Sequence, residues 1–220
     1  MNFSSLILYG SCARGENNNA SDIDMLAIHS GGEYEMLYLG NLNISAYPFE
    51  LASEKSKSGD LFMLHVVTEG NIVTDTDGCA KTVFDSFSYK ENYTQEKRLA
   101  ADLAWYLVLN SRDIDDFSLI NRRLAWCLRT ILIAEAAEAR KPAFSSRALA
   151  EFYGDTSVYE LIENKGSPVY SPYFIGVMKS FLLEKKCPIP SFEFGAQAYF
   201  VATGNKVAIS TLNGRLENFY

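Results

Sequence analysis

The sequence predicts an α/β (α+β) fold class, in which a small strand-rich part is followed by an all-α helical bundle. Up to about residue 75, short apolar runs are separated by turn residues, which is typical of strands and tight connections. After about residue 90, apolar residues instead recur at the three- and four-residue spacing of amphipathic helices. We therefore predict two domains, residues 1–90 and residues 91–220, the second being a helical bundle.

The first domain is predicted to begin almost at once with a strand. A hairpin is predicted around Gly40-Asn41, because this pair tolerates the positive φ angles of tight hairpin turns. Helices are predicted over residues 49–58 and 61–69, where apolar residues have helical spacing. The predicted strands cover residues 6–9, 23–28, 33–39, 42–47 and 72–74.

The second domain is predicted to contain only helices. Thr94 is the expected N-cap of the first, since a threonine hydroxyl can accept a hydrogen bond from a free amide of the first turn. The last helix is expected to be continuous, although Gly195 and Gly204 weaken it. The predicted helices cover residues 94–110, 117–140, 145–153, 157–164, 171–184 and 191–211.

Residues 6–28, with the sequence LILYGSCARGENNNASDIDMLAI, carry the strongest functional signal. An apolar run ends in Gly10-Ser11, and a polar, asparagine-rich link leads to a second run. Gly10 lets the backbone approach a ligand closely, and Ser11 with the following amides can face phosphate oxygens. Asp22 and Asp24 are two apart on a predicted strand and therefore point to the same face. Carboxylates in this arrangement, together with substrate phosphates, are typical ligands of Mg²⁺.

Gly10-Ser11, ten intervening residues and Asp22-x-Asp24 resemble the signature of the polymerase-β-like nucleotidyltransferase superfamily, especially its minimal and antibiotic nucleotidyltransferases. The resemblance covers roughly residues 6–75. It implies a small mixed-sheet core that uses Mg²⁺ and transfers an NMP from an NTP, such as ATP, to a hydroxyl of a small molecule or protein. By this resemblance, Asp22 and Asp24 are the catalytic residues and metal ligands. Gly10, Ser11 and Arg14 are the nucleotide-binding residues.

The chain departs from the family's pattern at the third carboxylate. The family places this acid on the next strand, where the aligned residue here is the neutral Asn43. Asn43 can offer a carbonyl oxygen to a metal ion but cannot act as a base. Three alternatives stay open: an enzyme with a weakened second metal site, replacement of the acid by Glu35, Glu50 or Glu69, or a catalytically degenerate nucleotide-binding or antitoxin-like partner protein.

Composition narrows the class of partner. The net charge is −7 and no cluster of Lys and Arg stands out, so long nucleic acid is a disfavoured partner. An acidic surface suits a cationic small molecule or a protein, and the resemblance also implies a helical protein partner or a homodimer. We expect no membrane span and no signal peptide. The four scattered cysteines are typical of reduced thiols, which indicates the cytoplasm.

Overall fold

The computed structural model describes residues 2–16 and 22–214, which form two compact units. The first consists of the chain up to Asn92 together with Ala137–Ser145, and the second of Tyr93–Ala136 and the chain from Ser146 onward. The division into domains at residue 90 stays a prediction, because compactness alone does not show that the parts fold independently. Most of the predicted asparagine-rich link falls on residues 17–21, outside the described residues.

The first unit is built on a five-stranded mixed sheet with the strand order β3-β4-β2-β1-β5. β2 and β4 run parallel, whereas the other neighbouring strands are antiparallel. This sheet, followed by helices, confirms the predicted fold class, and each predicted strand is present. The strands are β1 (Phe3–Tyr9), β2 (Ile23–His29), β3 (Glu35–Leu39), β4 (Leu42–Pro48) and β5 (Asn71–Asp75).

Four helices accompany this sheet in the described part of the first unit. They are α1 (Gly10–Arg14), α2 (Phe49–Lys57), α3 (Leu61–Glu69) and α4 (Cys79–Asp85). The short α4 is absent from the sequence-based prediction. Its N-cap is Gly78, which has no side chain to accept a bond. Instead, the Asp75 carboxylate at the end of β5 accepts hydrogen bonds from the amides of Ala80 (2.9 Å) and Lys81 (3.1 Å).

The helices of the first unit cover one face of the sheet. The main core there joins residues of β1, β2 and β4 to residues of α2, α3 and α4: Ile7, Tyr9, Leu26, Ile28, Tyr47, Ala52, Phe62, Met63, Val66, Ala80 and Val83. Burying each large apolar side chain stabilises the fold by about 1.5–3 kcal/mol. Because residues two apart on a strand share a face, Asp24 lies on the face of Leu26, and Asn43 on that of Tyr47. Both therefore belong to the helix-covered face.

The second unit contains only helices among its described residues, as predicted. Ser171 caps α9 by accepting a hydrogen bond from the amide of Phe174 (3.3 Å), and Pro172 occupies the first turn. No described helix combines the length and the apolar character that crossing a bilayer requires. The helices are α5 (Thr94–Leu109), α6 (Phe117–Glu138), which continues into the first unit, α7 (Ser146–Tyr153), α8 (Thr156–Glu163), a 3₁₀ turn (Asn164–Gly166), α9 (Pro172–Glu184), α10 (Ala196–Ala202) and α11 (Lys206–Leu212).

Two sequence-based predictions about these helices are wrong. The final helix is interrupted at Gly204, and Asn205 starts α11 by accepting a hydrogen bond from the amide of Ala208 (3.1 Å). A glycine followed by a good N-cap residue thus ends one helix and begins another. Thr94 is the first residue of α5 rather than its N-cap, a position taken by Tyr93 without a capping side-chain bond.

Candidate functional site

The connection between β1 and β2 brings Gly10 against Asp24. Tyr9, the last residue of β1, is the register partner of Asp24 on β2. Gly10 follows with a φ of 75°, and a Cβ atom at this position would lie 3.3 Å from Asp24 Oδ2. A glycine is therefore favoured here for two reasons, the left-handed backbone and the close approach of the carboxylate.

Two hydrogen bonds tie α1, which contains Ser11, to its surroundings. The Cys12 thiol donates a hydrogen bond to the main-chain oxygen of Asp22 (3.4 Å). The Asn71 side-chain amide donates to the main-chain oxygen of Ala13 (3.3 Å). The turn after β1 is thus joined directly to the start of the aspartate segment. The sequence pattern predicts neither hydrogen bond, because a main-chain oxygen accepts each of them.

The two aspartates lie where β2 begins. Asp22 is exposed and immediately precedes the strand, and Asp24 is partly buried as the second residue of β2. Their spacing favours side chains on the same side of the strand. Both carboxylates are acceptor-only oxygen groups when ionised, which makes this pair chemically suited to a hard cation.

Asn43 lies directly beside Asp24. The two are register partners on the parallel strands β2 and β4. The Asn43 side-chain amide donates a hydrogen bond from Nδ2 to Asp24 Oδ1 (3.3 Å). Residues 2–16 and 22–214 contain no group of three or more His, Cys, Asp or Glu side chains that could hold a metal ion. The neighbour of the aspartate pair on the next strand is therefore a carboxamide and not a third carboxylate.

Two of the three glutamates considered as replacements lie in the wrong place. Glu35 pairs with Ala46 of β4, three residues from Asn43, and therefore lies on the opposite face of the sheet. Glu50 follows Pro48, whose register partner His29 is five residues beyond Asp24. At the strand rise of about 3.3 Å per residue, that separation is about 16 Å. The register thus places Glu35 on the opposite face of the sheet from Asp24, and Glu50 beyond the end of β4 that is far from Asn43.

Residues 4–77 match the family model described as a nucleotidyltransferase domain. This part of the chain is therefore similar to nucleotidyltransferase domains. The match confirms the resemblance over almost the same range. No curated protein matches the chain. Among solved structures, the chain is similar to a nucleotidyltransferase-like protein from Exiguobacterium sibiricum 255-15, with 14% identity over 99% of this chain and 76% of that one, and a TM-score of 0.32.

Within the residues that match this family model, Arg14 lies between two carboxylates. Its Nε donates to Glu16 Oε2 (2.7 Å), and its Nη1 donates to Glu69 Oε2. The same oxygen of Glu69 lies 2.9 Å from Nε2 of His65. Burial alone would raise the pKa of Glu69, but hydrogen bonds and charge from His65 and Arg14 lower this pKa below its usual range. Glu69 is thus already bound by two side chains, and it does not replace the missing acid.

Glu69, the partner of Arg14, is linked through His65 to aromatic residues of the first unit. The His65 ring stacks on Phe144, with centroids 4.4 Å apart and planes at 17°. It also meets the edge of the Tyr9 ring at 5.5 Å. Since Tyr9 precedes Gly10 and pairs with Asp24, one contiguous set of contacts links Arg14 to the aspartate strand. Sequence reasoning identified Arg14 but gave no sign of Glu16 or His65 as its neighbours.

Proposed function

We propose that this protein is an Mg²⁺-dependent nucleotidyltransferase that transfers an NMP from an NTP, such as ATP, to a hydroxyl of a small molecule or protein. One observation carries the proposal. In a domain of the nucleotidyltransferase family, the Gly10 turn is packed against Asp24, two residues after Asp22. A glycine turn beside paired carboxylates is the arrangement that a triphosphate with its cation requires.

Each residue has a specific proposed task. Asp22 and Asp24 hold the cation, which offsets negative charge on the phosphates. Gly10, Ser11 and Arg14 contact the nucleotide and orient its α-phosphate. The acceptor oxygen then bonds to the α-phosphorus, the bond from that phosphorus to the β-phosphate oxygen breaks, and pyrophosphate leaves. The hydroxyl proton is released to solvent. Catalysis in such a site comes mainly from orientation and charge.

The acceptor that we favour is a cationic small molecule or a protein side chain. The net charge of −7 supports this choice over long nucleic acid, whose binding normally needs a basic face. The four cysteines are free thiols in the structure, which supports a reducing compartment such as the cytoplasm. A homodimer or a helical protein partner belongs to the same proposal.

The direct test is the paired substitution Asp22→Asn with Asp24→Asn. We expect it to abolish pyrophosphate release from each NTP while leaving the circular dichroism spectrum and urea unfolding midpoint close to wild type. The matched control is Asp77→Asn with Glu91→Gln, which removes the same charge from exposed positions of the same unit. Wild-type protein that releases no pyrophosphate with any NTP, in the presence of extract as acceptor source, would refute the proposal.

Asn43 favours a second candidate, a degenerate nucleotide-binding or antitoxin-like partner protein. In that case the wild-type protein binds an NTP or a metal ion without turnover and forms a tight complex with a helical protein. Asn43→Asp separates the candidates. Activity that appears only in this variant supports the degenerate protein, whereas an active wild type that changes little supports the enzyme.

A further inference from the structure

We infer that the aspartate site of this protein holds one divalent cation together with the nucleotide, because the Asn43 carboxamide takes the place at which a second cation would be bound. The inference rests on the proposed function, since it concerns the same site. It also departs from the arrangement of three carboxylates and two cations that the resemblance implies. It is carried by the sheet register and by the hydrogen bond between Asn43 and Asp24.

The orientation of the Asn43 side chain follows from its neighbour. An ionised carboxylate only accepts hydrogen bonds, so the amide must turn its Nδ2 donor, and not its oxygen, toward Asp24. The observed bond joins Nδ2 to Asp24 Oδ1 at 3.3 Å. An amide N–H₂ group cannot ligate a cation, so in this orientation Asn43 offers no ligand atom on the side that faces Asp24. The other oxygen, Oδ2, is the one closest to Gly10.

No other acid in the described residues restores the missing ligand. Glu35 lies on the opposite face, Glu50 lies beyond the far end of β4, and Glu69 is bound by Arg14 and His65. In residues 2–16 and 22–214 there is no set of three acidic, histidine or cysteine side chains placed to hold a metal. Paired cations in such sites lie about 3.5–4 Å apart and repel each other strongly.

The experiment counts bound Mn²⁺ by electron paramagnetic resonance, with the protein saturated by α,β-methylene-ATP. We expect one Mn²⁺ per protein–nucleotide complex for wild type and two for Asn43→Asp, which supplies the third carboxylate. The matched control is Asn41→Asp, which adds the same charge at an exposed position in the turn before β4. We expect this control variant to bind one Mn²⁺ per protein–nucleotide complex, as wild type does.

Each outcome has a defined meaning. Two bound Mn²⁺ ions in wild type overturn the inference while leaving the proposed function intact. One ion in both wild type and Asn43→Asp shows that Asn43 does not limit the count, which also overturns it. A wild type that forms no complex with Mn²⁺ and the nucleotide overturns both the inference and the proposed function. The wild-type count is decisive even if Asn43→Asp fails to fold.

Discussion

Replacing Gly10 by alanine tests whether the turn after β1 sets the position of Asp24. The φ of 75° at Gly10 is in the left-handed region, where an L-residue costs about 1–2 kcal/mol. The new Cβ would lie 3.3 Å from Asp24 Oδ2, so the carboxylate must move to relieve the contact. We therefore expect a modest loss of stability combined with a displaced Asp24 carboxylate, which is the proposed metal ligand.

Gly40→Ala is the matched control for the free-energy cost of placing an alanine in the left-handed backbone conformation. Gly40 has a φ of 65°, and no described atom lies within 4 Å of a Cβ built there. The left-handed conformation carries the same cost of about 1–2 kcal/mol, but no carboxylate is contacted. The two variants should therefore lose similar free energies of unfolding and differ only at the aspartate site.

Urea unfolding, monitored by circular dichroism, measures the free energy of unfolding of each variant. Titration with Mn²⁺ in the presence of α,β-methylene-ATP measures the affinity of the aspartate site for the cation. We expect Gly10→Ala to bind Mn²⁺ about tenfold more weakly than Gly40→Ala, which corresponds to about 1.4 kcal/mol. Equal Mn²⁺ affinities in the two variants would refute the argument that Gly10 positions Asp24.

Two further predictions concern buried or partly buried carboxylates. Glu69→Gln should lower the free energy of unfolding by about 1–3 kcal/mol at neutral pH, because Arg14 and His65 lose a shared charged partner. Since the folded protein lowers the pKa of Glu69, this contribution is lost as the pH falls through that pKa, so urea titrations of both proteins should converge in acid. A difference in unfolding free energy between wild type and Glu69→Gln that does not change with pH would contradict this prediction. Tyr199→Phe should cost about 1–3 kcal/mol, because its hydroxyl donates to buried Asp102 at 2.9 Å. Burial raises the pKa of Asp102, so the loss of unfolding free energy should shrink at low pH, where the carboxyl is protonated. A Tyr199→Phe variant that is as stable as wild type near neutral pH would contradict this prediction.

The strands of the first unit were predictable because their signals are local. Apolar runs bounded by turn residues, with Gly40-Asn41 between two of them, specify strands and a hairpin without knowledge of the fold. Helix α4 was not predictable in this way. It has seven residues, and its first turn depends on Asp75. The Asp75 carboxylate also accepts a hydrogen bond from Ser5, its register partner on the neighbouring strand β1. Contacts of that kind exist only after the sheet has formed.

The candidate site shows the same division between local and distant information. Asp22, Asp24 and the identity of the residue at position 43 could be taken from the sequence, because strand alternation and fixed spacing relate them. The contacts of Arg14 could not, since Glu69 is 55 residues away along the chain and reaches Arg14 only through the packing of α3. Nor does any sequence pattern mark the bond from Cys12 to Asp22, because a main-chain oxygen accepts it.

The most direct test of nucleotidyl transfer compares NTPs radiolabelled at the α- and the γ-phosphate, incubated with Mg²⁺, the protein and extract as a source of acceptor. The account predicts that label from the α-phosphate becomes attached to an acceptor, that label from the γ-phosphate does not, and that Asp22→Asn with Asp24→Asn abolishes the transfer. Attachment of the γ-label, or transfer of the α-label that survives the paired substitution, would contradict it.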